Sequence, residues 1–128
     1  MKKKKFKIEY PLSNSSLPVL WDSISTAYGL SEWFADDVIV DEKEFIFRWE
    51  NSEQKKAYLL HLKANYSIRF QWEEDKGGEA YFEMRIITSE LSNDLVLLVT
   101  DFAKENDVDD AILLWDHQIE TLKRVKGM

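Results

Sequence analysis

The sequence predicts one α+β domain over residues 1–128, in which a long C-terminal helix covers one face of an antiparallel sheet of about seven strands. Between residues 37 and 103, apolar and polar side chains alternate in short runs, which is typical of strands with one solvated face. The final segment changes to helical spacing. Because the 128 residues include no cysteine, a single hydrophobic core without disulfides must stabilise the fold.

The first predicted elements are one strand and two helices. Apolar and charged residues alternate over residues 4–12, which indicates a half-buried strand. Over residues 15–28 the apolar side chains recur every three or four positions, so we expect a helix that begins at a capping serine and ends at Gly29. Ser31 is expected to cap a second, very short helix over residues 31–34.

Six further strands are predicted before the last helix. Alternate residues of a strand point to opposite faces of its sheet, so the inward side chains can be assigned from the alternation. Two adjacent glycines in residues 75–79 favour a hairpin turn. The predicted strands are residues 37–41, 44–50, 55–64, 66–74, 79–90 and 94–103.

The last segment, residues 107–126, is predicted to be the covering helix. Its apolar residues recur every three or four positions from Val108 to Val125. Acidic residues at its start and basic residues at its end complement the helix dipole. A helix of roughly 20 residues extends about 30 Å, which is enough to cross a whole sheet.

Three short segments resemble those of a known superfamily. They are LSEWF at residues 30–34, FIFRW at residues 45–49 and LWDHQIETLKRV at residues 114–125. With the order of elements, they resemble the helix-grip fold of the START-like, birch-pollen-allergen-like superfamily. Within it, the chain is most similar to small proteins related to the activator of heat shock protein 90 ATPase. The resemblance implies a strongly curved sheet around the last helix, with a cavity or cleft between them.

The charge balance argues against nucleic acid as a partner. The chain has 24 acidic and 17 basic residues, a net charge of −7, and an acidic surface opposes phosphate backbones. We interpret the run Lys2–Lys5 as a solvated terminus. No apolar run approaches the roughly 20 residues that span a membrane. The lysines are not followed by the apolar core of a secretory signal, and we therefore expect a cytoplasmic protein without a membrane span.

No catalytic, metal or cofactor site is expected. His61 and His117 do not have the spacing of a metal site, and the chain has no cysteine ligand. Adjacent carboxylates such as Asp36 and Asp37 point to opposite faces of a strand, so they do not form an acid/base pair by themselves. Enzymes such as polyketide cyclases occur in the superfamily that the chain resembles, so enzymatic activity stays open.

The expected cavity would suit a small hydrophobic ligand. The alternative is that the 17 aromatic side chains fill the space between sheet and helix and leave a closed core. Trp33 and Phe34 either gate the cavity as a lid or belong to that core. The residues expected to line or gate the cavity are Trp33, Phe34, Phe47, Trp49, Tyr58, Leu60, Phe70, Trp72, Phe82, Met84, Ile112, Trp115 and Ile119.

Two functional hypotheses follow from the sequence. The first is a domain that binds a small hydrophobic ligand, with no cofactor. The second, implied by the resemblance alone, is a protein-interaction module that engages a chaperone-type partner and favours one of its conformations. The sequence leaves the identity of the ligand or partner and the oligomeric state open.

Overall fold

Seven antiparallel strands form one sheet, and one long helix packs on its concave face in the computed structural model, which describes residues 2–51 and 53–128. Two short helices connect the first two strands. The elements are β1 (Lys4–Leu12), α1 (Leu17–Ser25), α2 (Ala27–Ser31), β2 (Asp37–Asp41), β3 (Glu44–Arg48), β4 (Gln54–Lys63), β5 (Ser67–Trp72), β6 (Phe82–Thr88), β7 (Leu95–Ala103) and α3 (Val108–Lys126).

The strand order makes the first and last strands neighbours at one edge of the sheet. Strands β2 to β7 follow one another as antiparallel neighbours, and β1 adds to the outer edge of β7. Since β1 and β2 are at opposite edges, α1 and α2 must carry the chain from one edge of the sheet to the other. The predicted α+β helix-grip fold is confirmed. Within the described residues, no helix is both long enough and apolar enough to cross a membrane.

The hydrophobic core lies between the concave face of the sheet and α3. The buried face of α3 consists of Trp115, Ile119 and Leu122. These side chains pack over inward residues of the central strands, including Phe47 and Phe70, which are fully buried. Burying a large apolar side chain contributes about 1.5–3 kcal/mol, so the burial of these side chains stabilises the fold substantially.

The short helix α2 differs from the prediction in position and in its capping residue. It begins at Ala27, and the Thr26 hydroxyl accepts a hydrogen bond of 2.9 Å from the Gly29 amide. Gly29 therefore lies inside α2 and does not end α1. A Cβ atom at Gly29 would lie 2.1 Å from the Asp22 carbonyl oxygen, so glycine is needed here because the two helices approach closely. Ser31 is the last residue of α2 and does not cap a helix.

The predicted inward face of β4 was wrong by one residue. Ala57 and Leu59 face the core, whereas Tyr58 and Leu60 lie on the convex face, and Leu60 is 50% exposed. Ala57 pairs with Phe45 on one side and with Trp72 on the other, and only a small side chain fits between those two rings. After Leu59 the register shifts by one residue through a β-bulge.

We expect Gly29→Ala to destabilise the protein by about 1–3 kcal/mol, because the methyl group meets the Asp22 carbonyl and forces α1 and α2 apart. This outcome is opposite in sign to the gain that alanine gives inside an unconstrained helix. Urea unfolding measures the change. Gly78→Ala, in an exposed turn, serves as control, and an equal effect of the two substitutions would contradict the proposed close approach.

Candidate functional site

A cleft of about 400 Å³ opens between α3 and one end of the sheet. Its wall is aromatic, and polar and charged side chains surround the opening. The aromatic residues of the wall are Phe34, Trp49, Trp72, Phe82 and Trp115.

The antiparallel topology brings these side chains together. Trp49 directly follows β3 and Trp72 ends β5, whereas Phe82 begins β6. Because neighbouring strands run in opposite directions, these positions all fall at the same end of the sheet. Trp72 stacks on Phe82 with ring centroids 4.9 Å apart, which makes one continuous apolar surface.

Trp33 and Phe34 lie in the turn after α2, and their rings have different surroundings. The Trp33 indole donates a buried hydrogen bond of 2.8 Å to the Ser23 carbonyl of α1. The Phe34 ring faces the cleft, 5.7 Å from both Phe82 and Trp115 between ring centroids. Both side chains are only 5% exposed. Trp33 is therefore a core residue beneath α1, and Phe34 forms part of the cleft wall.

The Phe34 carbonyl oxygen connects the wall to the rest of the fold. It accepts a hydrogen bond of 3.1 Å from the Trp49 indole and one of 3.0 Å from the Gln118 side chain. Trp49 follows β3 and Gln118 lies on α3, so one backbone oxygen joins the turn, the sheet and the helix. These bonds hold the wall in a defined arrangement.

Asp101 on β7 is the acidic group of the cleft interior. One of its carboxylate oxygens accepts a hydrogen bond of 2.8 Å from the Trp115 indole, and the other accepts a hydrogen bond of 2.7 Å from the Phe102 amide. Burial raises the pKa of Asp101, although the two hydrogen bonds and the positive charges of Lys3 and Lys55 partly oppose this effect. The carboxylate orients Trp115 and adds a negative charge to the apolar wall.

The charged groups at the opening are arranged in pairs. The Lys55 ammonium lies 3.1 Å from a Glu74 carboxylate oxygen and 4.2 Å from the centre of the Trp72 ring. The hydrogen bond and positive charge of Lys55 lower the pKa of Glu74. The Lys3 ammonium lies 3.0 Å from the Asp75 carboxylate. The opening therefore combines ion pairs with aromatic surface.

The structure divides the sequence-predicted site residues among four places. Phe34, Trp49, Trp72, Phe82 and Trp115 line the cleft. A second group is buried in the closed core: Trp33, Phe47, Phe70, Met84 and Ile119. Ile112 is partly buried on α3 outside the cleft lining, and Tyr58 and Leu60 lie on the convex face, where they line no part of the cleft.

Several residues of the cleft were not among the predicted lining residues. Asp101 shares the inward face of β7 with Leu97 and Val99, so the alternation of this strand was the signal that places it inside. Lys55 shares the inward face of β4 with Ala57. It was not predicted because the inward face of that strand was assigned incorrectly. Leu114 and Gln118 lie one helical turn apart on α3 at the opening.

The described part of the chain contains no cluster of three or more histidine, aspartate or glutamate side chains that could hold a metal ion. Neither histidine lines the cleft. The arrangement is suited to binding an apolar molecule by contact and stacking.

A family model described as a START-like superfamily domain matches residues 1–128. The solution structure of BfR322 from Bacteroides fragilis is 40% identical to the chain, covers 100% of it and 94% of that protein, and has a TM-score of 0.68. The Aha1 dimer from Colwellia psychrerythraea is 18% identical over 96% of this chain and 94% of that chain, with a TM-score of 0.71.

The crystal structure of MLL2253 from Mesorhizobium loti is 12% identical over 97% of both chains, with a TM-score of 0.77. No curated protein matches the chain. The predicted resemblance to the superfamily is confirmed.

We expect the stability of Asp101→Asn relative to the wild type to increase as pH rises. The raised pKa means that the folded state holds its proton more tightly than the unfolded state, so the wild type loses stability from about the ordinary carboxyl pKa of 3.8 upward to the raised value. The asparagine oxygen can accept from only one of the two donors, the Trp115 indole and the Phe102 amide, so the variant loses one hydrogen bond at every pH, whereas the change with pH reports the buried charge.

Urea unfolding of both proteins between about pH 3 and pH 8 measures this difference. Asp41→Asn, an exposed position, is the control. Stability curves of the wild type and Asp101→Asn that stay parallel throughout the range would contradict the expectation.

Proposed function

The chain belongs to the START-like superfamily, and we propose that it binds a small hydrophobic molecule in the cleft between the sheet and α3. The observation that carries this proposal is the aromatic wall, which stays open at one end of an otherwise closed core. A volume of about 400 Å³ lies within the range of pockets that hold small molecules.

The arrangement of the wall supports binding with little reorganisation. Hydrogen bonds fix the Trp49 and Trp115 indoles, and Phe34 is held through its carbonyl oxygen. A wall that is already ordered loses little side-chain entropy when a ligand binds. Flat apolar molecules match it best, because they can stack on the indole and phenyl rings.

A matched pair of α3 variants tests the proposal. Leu114 lines the opening and is 60% exposed, whereas its neighbour Leu113 is 65% exposed and lies outside the cleft lining. Arginine at position 114 places a charged side chain in the opening, and arginine at position 113 changes the net charge equally without entering it.

We expect the neutral fluorescent probe N-phenylnaphthylamine to bind the wild type. Leu114→Arg should weaken its binding about tenfold, which corresponds to about 1.4 kcal/mol, and Leu113→Arg should change it less than twofold. Fluorescence titration gives the dissociation constants. Failure of the wild type to bind, or equal weakening by both variants, would refute binding in this cleft.

A second candidate function is a protein-interaction module, favoured by the exposed pair Leu113 and Leu114. Contiguous exposed apolar side chains mark contact surfaces for other proteins, and these two leucines are adjacent on α3. The Colwellia psychrerythraea structure, a relative in fold, is a dimer. A chaperone-type partner is the other occupant that the family resemblance implies for this surface.

Under this second function, the wild type self-associates and Leu113→Arg weakens the association, because a charge replaces an apolar contact. Sedimentation velocity at several protein concentrations measures it. Val125→Arg, at an exposed position near the other end of α3, is the control. A wild type that stays monomeric would exclude self-association and leave only a different protein as partner.

A further inference from the structure

Asp101 places a negative charge in the interior of the cleft, where Lys3 and Lys55 act on it electrostatically but form their ion pairs with other carboxylates. Asp101 accepts hydrogen bonds from the Trp115 indole and the Phe102 amide, and both donors are neutral groups. None of the ion pairs found among residues 2–51 and 53–128 includes Asp101. The carboxylate is therefore solvated poorly and faces an apolar space.

The aromatic wall already stabilises one ammonium group of the protein itself. The Lys55 ammonium lies 4.2 Å from the centre of the Trp72 ring, which is the geometry of a cation–π interaction. Trp49 and Trp115 supply two further indoles in the same cleft. Indole has the most favourable face among the aromatic side chains for a cation.

The charge balance of the lining favours a cation over an anion. Two lysines, Lys3 and Lys55, and three acidic residues, Glu53, Glu74 and Asp101, line the cleft. Each lysine is paired, Lys55 with Glu74 and Lys3 with Asp75. After these pairs are made, the carboxylates of Glu53 and Asp101 are left over, and an anionic ligand would have to break an existing ion pair.

We infer that the cleft selects an organic cation, an ammonium group on an apolar body, whose charge lies between the indole faces and the Asp101 carboxylate. This inference rests on the proposed ligand-binding function and adds the chemical class of the ligand. A bound cation would offset the cost of burying the Asp101 charge, a cost that is visible in the raised pKa of this group.

Three probes of nearly equal shape and different charge test the inference. They are para-hydroxyphenyl trimethylammonium, para-tert-butylphenol and para-phenolsulfonate, which are cationic, neutral and anionic. Isothermal titration calorimetry with the wild type gives their affinities. We expect the cation to bind about tenfold more tightly than the neutral probe, as for a partly desolvated cation–π contact beside a carboxylate.

Two variants and one control variant locate the effect. Asp101→Asn should remove the tenfold preference for the cation, whereas Glu90→Gln, an equal change of charge at an exposed position outside the cleft, should preserve it. Lys55→Met should strengthen cation binding, because it frees the Trp72 face and the Glu74 carboxylate.

The outcomes separate the inference from the function on which it rests. If the neutral probe binds as tightly as the cation, the cation inference is overturned and hydrophobic ligand binding stands. Tightest binding of the sulfonate also overturns it and assigns the site to anions through Lys55. If none of the three probes binds while N-phenylnaphthylamine does, the cation inference is overturned and hydrophobic ligand binding stands; if N-phenylnaphthylamine fails as well, the proposed function fails together with the inference.

Discussion

The Phe34 carbonyl oxygen is the point on which the arrangement of the cleft depends. It accepts one hydrogen bond from the Trp49 indole at the end of the sheet and another from the Gln118 side-chain amide on α3. The ring of the same residue packs at 5.1 Å from Phe47 between centroids and also contacts the rings of the cleft wall. Hydrogen bonding and aromatic packing at one residue thus hold the helix, the sheet and the connecting turn in one geometry.

The position of Phe34 is in turn determined by the close contact between α1 and α2. Gly29 lets the backbone of α2 approach the Asp22 carbonyl, and the next turn then places Trp33 where its indole donates to the Ser23 carbonyl. A larger residue at position 29 would move this whole segment. A glycine outside the cleft is therefore part of what positions its wall.

The sequence predicts the order of elements well because that order depends on local periodicity. Which side chains of β4 point inward could not be predicted from local periodicity. Apolar residues occur at both odd and even positions of this strand. The odd positions include Ala57 and Leu59, and the even positions include Tyr58, Leu60 and Leu62. The choice is made by the rings on neighbouring strands, which is information from distant parts of the chain.

The difference between local periodicity and contacts with distant parts of the chain also explains which parts of the site were predictable. Large aromatic residues at strand ends and on α3 indicate a lining, and five of the predicted side chains form it. The side chains that would give the site its selectivity, above all Asp101 and Lys55, are charged, and composition alone places charged residues at the surface. Their inward position depends on the alternation of β7 and on the register of β4 against its neighbouring strands, which the sequence does not mark.

Asp101 connects the stability of the fold with the proposed function. Its two oxygens accept hydrogen bonds from the Trp115 indole and the Phe102 amide, and an asparagine oxygen could accept only one of them. The carboxylate thus satisfies two donors but keeps a charge in a poorly solvated position, which costs folding free energy. Departures of this kind from the most stable choice are concentrated at functional sites. Under the proposed function, a ligand with positive charge would offset this cost only when it is bound, so the binding of a cation would stabilise the folded protein.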